Sequence, residues 1–225
     1  MKRITVLLVE DHNVVRDGLR KLIELEDDFA VAGEAHTGRE AVVQAKKLQP
    51  DVVLMDIAMP LLNGLEATRQ MLKAFPGTKV LMLSAHCDDA YVNSATESGA
   101  RGFLLKQATT QDVCRAIREV HKGNTFYSPS IARRQERLHP LSPDRASGFS
   151  KKAAPLTSRE MEVLQLIAEG KANKETAAEL GIGIKTVEKH REHIMHKLDI
   201  HDTAGLTRHA ISAGIIESSV QLTIV

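Results

Sequence analysis

The first 130 residues alternate short apolar runs with amphipathic stretches, and they do so five times. The runs lie at 4–10, 29–35, 52–56, 79–85 and 102–106. Each is followed by apolar residues at helical spacing, over 12–25, 38–48, about 63–73, about 88–98 and about 109–122. Strands that are apolar on both sides belong in a parallel sheet covered by helices on both faces. The pattern therefore predicts a five-stranded doubly wound α/β domain over residues 1–125. Residues 154–225 contain no such alternation, and four helical segments at 156–170, 173–181, 185–199 and 202–214 predict an all-α domain.

Between them, 126–153 reads as a linker. Its core, 131–155, is rich in Pro, Ser and Arg, shows neither periodicity and carries a net charge of +4, with its first turns expected to be helical. That charge serves either simple solvation or a weak attraction to phosphate. The flanking regions are slightly acidic, −1 over 1–130 and −2 over 156–225. No stretch approaches the roughly 18–20 apolar residues of a membrane span, because Asp56 and Pro60 break the richest one. The amino terminus lacks the apolar centre and cleavage site of a secretory signal. Cys87 and Cys114 are too few for a disulfide framework, and no Cys/His pairs stand at zinc-ligand spacing. A cytoplasmic protein with no membrane partner is expected.

Doubly wound sheets place their sites at the carboxyl ends of the strands. There the sequence puts Glu10 and Asp11 (first run), Asp56 (third), Ser84 (fourth) and Lys106 (fifth). Each alone has a bland reading as a solvated strand end, a helix cap or a surface lysine. Together they bring three carboxylates, a hydroxyl and an ammonium to one rim. Clustered carboxylates need a cation, and oxygen ligands with open positions favour Mg2+. An aspartate beside such an ion is a nucleophile toward a phosphoryl group when hydroxyl and cationic donors absorb the charge. Asp56, at the end of the most buried strand, is the candidate nucleophile.

In LLVEDH (7–12), LMDIAMPLLNGLE (54–66), LSAH (83–86) and GARGFLLK (99–106), the chain resembles the receiver domain of two-component response regulators, a flavodoxin-like fold. The resemblance implies that Asp56 accepts a phosphoryl group from a sensor histidine kinase. It also implies that Asp11 and Asp56 hold Mg2+ directly, Glu10 through water, with the main-chain carbonyl of Ala58 as a further ligand. Lys106 would pair with the acylphosphate, Ser84 would move toward it, and Phe103 would rotate inward behind it. Ala58 and His86 border the route of water to the phosphate, while Pro60 and Gly64 shape the loop. Glu10 stands where Asp is commoner, and Gln107-Ala108 replaces the usual Pro or Asp.

In the last 70 residues, a short helix, a glycine-containing turn and a longer helix form a helix-turn-helix pattern. On the longer helix Val187, Ile194 and Leu198 share one face, opposite Lys185, Lys189, Glu192 and His196. That outward face alone would pass for a solvated surface; the preceding helix and turn favour DNA. LTSREMEVLQLIAEG, NKETAAELGI, KTVEKH and HKL resemble the LuxR-type DNA-binding domain of the NarL/FixJ response regulators. By that resemblance Glu188, Lys189 and Glu192 face bases, and Lys185 and Lys197 approach phosphates. Lys174, Thr186 and Arg191 complete the DNA-contact set, and Leu206 and His209 lie at a dimer contact. Ala172, Thr176 and Gly183 stand where Ser or Thr, Ile and Ser are common.

The combined expectation is a transcription factor that binds promoter DNA as a homodimer when phosphorylated, with RNA polymerase a further partner. A regulator with a vestigial receiver and constitutive DNA affinity is the alternative. A phosphatase of the haloacid dehalogenase type is disfavoured, because its second acid two positions after the nucleophile is Ala58 here. No catalytic activity beyond the receiver's own phosphorylation and dephosphorylation is expected.

Overall fold

The computed structural model of the chain describes residues 3–86, 89–128, 131 and 156–216. Six strands form one parallel sheet: β1 (Ile4–Val9), β2 (Phe29–Ala35), β3 (Val52–Asp56), β4 (Val80–Ser84), β5 (Gly102–Leu105) and β6 (Phe126–Tyr127). Their order in the sheet is 2-1-3-4-5-6. Helices α1 (Asn13–Glu24), α2 (Gly38–Leu48), α3 (Gly64–Ala74), α4 (Asp89–Glu97) and α5 (Thr110–Lys122) connect the strands. All five expected strands are present. The sixth falls in the stretch assigned to the linker, where a two-residue strand is too short to show a period. Phe126 and Tyr127 pair with Gly102 and Phe103, and Ile131 packs into the same core. The linker expectation for 132–155 lies outside the described residues.

The two-sided burial that the apolar runs implied is visible on β1. Leu7 and Val9 join the core beneath α2, α3 and α4, while Val6 and Leu8 join the core beneath α1 and α5. Side-chain oxygens cap several helices: Thr37 accepts from the Glu40 amide, Asn63 from Glu66 and Thr109 from Asp112.

Four helices form the carboxy-terminal domain: α6 (Ser158–Ala168), α7 (Asn173–Leu180), α8 (Ile184–Leu198) and α9 (Thr203–Ser212). Thr157 and Glu160 close a capping box at the start of α6. The caps of α7 and α8, Ala172 and Gly183, make no side-chain bond, as their chemistry dictates. Val187 and Ile194 are fully buried against Val163, Leu164 and Leu206. Thr176, where an apolar residue is common, is fully buried and its hydroxyl finds no partner among the described residues.

The two domains meet along the polar face of α6. Gln165 is buried; its amide nitrogen donates to the Met59 carbonyl at 2.9 Å and its oxygen accepts from the Asn63 amide at 2.8 Å. The Leu61 amide donates to Glu169 at 3.0 Å. Glu162 accepts from Gln70 at 2.8 Å and from Arg39 at 3.2 Å.

Candidate functional site

Strand register assembles the rim. Val9 pairs with Met55, which sets Glu10 level with Asp56. Asp56 pairs with Leu83, so Ser84 lies one step beyond, and Ser84 pairs with Leu105, so Lys106 follows in turn. Because β1 lies between β2 and β3, the chain leaves its end toward one face and returns at β3 from the other, which opens the crevice that holds these groups.

Glu10 and Asp56 are buried, and Lys106 Nζ lies 2.8 Å from Asp56 Oδ2 and 3.0 Å from Glu10 Oε2. Burial, and then the charge of Glu10, push the Asp56 carboxyl up to about 7, although Lys106 pulls the other way. Burial works against the Lys106 ammonium, but the Asp56 and Glu10 carboxylates outweigh it and raise its pKa. Asp56 Oδ1 and Asp11 Oδ1 are buried and accept no hydrogen bond among the described residues. Ligand atoms of Glu10, Asp11, His12 and Asp56 all lie within 4.8 Å of one another, so the donor set fits a hard divalent cation.

Gly64 is required here, since a Cβ would sit 2.0 Å from the Asp56 carbonyl oxygen, and its amide donates to the Ile57 carbonyl. Ser84 is buried, and its Oγ accepts from the His86 amide at 3.0 Å. Phe103 is fully buried in the core beneath α3 and α4. The inward rotation expected of it has therefore no outward position to start from in this structure. Two residues escaped the sequence reading. Arg16 is buried; its guanidinium donates to the Glu10 carbonyl at 2.9 Å and to Glu34 at 3.0 Å, and so pins α1 to the rim. Its only sequence signal is a charge near the start of a helix. His12 places Nδ1 2.8 Å from Asp11 Oδ1 and 3.1 Å from Glu10 Oε1.

On α8, Lys185, Thr186, Glu188, Lys189 and Glu192 are exposed, as is Lys174 on α7, and the receiver covers none of them. Lys197 is committed elsewhere: its ammonium donates to Glu160 at 2.7 Å. Arg191 is half-buried and donates to the Thr203 hydroxyl. Leu206 is fully buried in the helical core, which removes it from a dimer contact. Its place on the apolar stripe that packs on α6 is the reason. His209 is half-buried and lines a cavity of about 440 Å³ between the domains, with Glu66 and Arg69 opposite. Burial lowers its pKa. Among the described residues no helix is long and apolar enough to cross a membrane.

Residues 6–118 match the response regulator receiver domain, and residues 154–210 match the bacterial regulatory proteins of the luxR family. The chain is 38% identical over 214 residues to the transcriptional regulatory protein MctR of Rhizobium johnstonii, covering 95% of this chain and 96% of that protein. It is 35% identical to the response regulator protein VraR of Staphylococcus aureus, covering 95% and 99%. A solved structure of the response regulator RcsB in complex with DNA aligns at a TM-score of 0.58, with 26% identity over 94% of this chain and 99% of that one. With a receiver fold, an acidic rim at its strand ends and a helix-turn-helix unit behind it, the chain belongs to the LuxR-family two-component response regulators, which act in transcription regulation.

Proposed function

We propose that Asp56 is the phospho-acceptor of this chain, charged by a sensor histidine kinase, and that its phosphorylation controls homodimeric binding to promoter DNA. The observation that carries this reading is the buried Asp56 carboxylate, with one oxygen on Lys106 and the other unpartnered beside Glu10 and Asp11. The unpartnered oxygen attacks the phosphorus of the donor; the P–N bond of the phosphohistidine breaks and its electron pair returns to the imidazole. Lys106 then moves from the carboxylate to the transferred phosphoryl oxygens, and the Ser84 hydroxyl donates to another. Asp11, Asp56 and the Ala58 carbonyl, with Glu10 through water, would hold a Mg2+ ion, which would supply charge neutralisation at these oxygens. Downstream, Lys189 and Glu192 are assigned to base edges and Lys174 and Lys185 to phosphates.

Exposure to acetyl phosphate and Mg2+ should add one phosphoryl group, about 80 Da by intact mass, and peptide mapping should place it on Asp56. No adduct, or an adduct elsewhere, overturns the assignment. Gel shifts with the same protein should show tighter binding to paired half-sites after phosphorylation, with Asp56→Ala as control. Equal affinity in every lane would instead favour the constitutive regulator.

A further inference from the structure

We propose that Tyr91 latches the helical domain to the receiver and that His86 ties this latch to the Ser84 hydroxyl, whose position then sets how firmly the two domains hold together. The latch rests on geometry alone; what moves Ser84 rests on the reading of Asp56 as the phospho-acceptor. The carboxyl end of α9 is gripped from two receiver helices. Gly214, just past α9, has φ of 69°, and a Cβ on it would meet three carbons of the Tyr91 ring at 2.7, 3.0 and 3.0 Å. The ring of Tyr91, in the first turn of α4, therefore lies against the Gly214 backbone, and only glycine admits it there. Beside it, Asn63 at the start of α3 donates through Nδ2 to the Ile215 carbonyl at 3.4 Å, while the Ile215 side chain is buried in the helical core.

The latch leads back to the strand ends in two steps. The Tyr91 ring stacks on His86, with centroids 5.1 Å apart and planes 23° apart. The His86 amide donates to Ser84 Oγ at 3.0 Å, and Ser84 is buried. One atom of Ser84 thus holds the residue whose ring supports Tyr91. In the phosphorylated state that Oγ donates to a transferred phosphoryl oxygen, and a side-chain rotation that carries it there takes it off the His86 amide. His86 then loses its tether, the stack loosens, and Tyr91 releases Gly214. Phe103 offers no such route, because it is fully buried beneath α3 and α4. A contact made only in the closed arrangement biases the balance between closed and open by its own strength. The polar contacts along α6 remain as a second hold.

The test is amide deuterium exchange on the full chain, read at 213–215, whose amides bond back to the His209, Ile211 and Ala210 carbonyls. Tyr91→Ala should speed exchange there by about threefold or more, the order expected for the loss of one aromatic contact, and Tyr91→Phe, which keeps the ring, should not. Ser84→Ala removes the acceptor of the His86 amide and should speed exchange likewise with no phosphorylation. Acetyl phosphate with Mg2+ should speed it in the natural sequence and add nothing further in Tyr91→Ala. A smaller change in Tyr91→Ala overturns the latch. Where that variant disturbs the receiver itself, seen as faster exchange in β3 and β4, Tyr91→Leu keeps the apolar packing on the receiver core, removes the flat ring and decides in its place. Loosening in Tyr91→Ala but not in Ser84→Ala overturns the tie to Ser84. Unchanged exchange in a chain shown by intact mass to be phosphorylated overturns the coupling. A chain that takes up no phosphoryl group overturns the Asp56 reading instead, and the unphosphorylated comparisons still decide the latch.

Discussion

A buried carboxyl pushed up to about 7 makes Asp56 a liability to the fold as well as an asset to the site. The folded chain holds a proton there that the unfolded chain, with an ordinary carboxyl, has already released. Between the ordinary carboxylate range and about 7, native Asp56 binds more protons than unfolded Asp56, so its contribution to stability falls as pH rises through that window. Asp56→Asn keeps the shape without the charge. It should melt higher than the natural sequence at neutral pH without divalent cations, and the gap should close under acid conditions near the ordinary aspartate pKa. Scanning calorimetry over that range checks both halves. A variant that melts lower at neutral pH would show that the Lys106 ion pair outweighs desolvation. Cys114 illustrates the opposite case: burial pushes its thiol up to about 11, which keeps it protonated and unreactive.

At the scale of the helix, α8 separates exposed lysines from packed ones. Lys189 is exposed on the outward face, while Lys197 ties that helix to Glu160 on α6. Lys189→Ala should cost about 1–3 kcal/mol at one base position and relax sequence choice there. Lys197→Ala should instead lower the stability of the helical domain by about 1–3 kcal/mol and leave the salt dependence of binding unchanged. Fluorescence anisotropy over a panel of single-base operator variants, alongside denaturant melts, distinguishes them; a loss of salt slope in Lys197→Ala would return that lysine to the phosphate contacts. Helical period was enough to read Val187 and Ile194 as core and the strand-end acids as a rim, because both follow from local repeat and from the parallel order of strands. The fate of Lys197 was not legible, since its partner lies 37 positions away and only packing of α6 on α8 brings them together. Leu206 misled for a related reason: its helix has apolar residues on more than one side, and sequence does not say which side is claimed first. The paired contact of His12 with two carboxylates depends likewise on the ring turning back at a helix cap, which spacing does not reveal.

Across the whole molecule, the least legible feature is the joint between domains. On α6 the stripe of Val163, Leu164 and Ile167 announces a core, but nothing in the period marks Glu162, Gln165 and Glu169 as covered. Gln165 and Glu169 contact the main chain of the loop that follows Asp56, where side-chain identity leaves little trace, and Glu162 meets the Arg39 and Gln70 side chains, which are distant in sequence. Leu61 in that loop adopts φ of 69° and packs its side chain into the helical core, a conformation costly for a leucine and held by the joint. Gln165→Ala should part the domains: the radius of gyration by X-ray scattering should rise, and the Leu61 and Asn63 amides should lose protection from deuterium exchange. An unchanged radius with those amides still protected would place the joint elsewhere.

Where the domains touch, the contacts along α6 are amides and carboxylates, with Leu61 the main apolar guest. When such a face comes free, water replaces each bond nearly one for one, and little greasy surface is left to stick to strangers. A detached form would therefore uncover little apolar surface along α6 beyond Leu61, so parting of the two faces would carry little penalty in self-association.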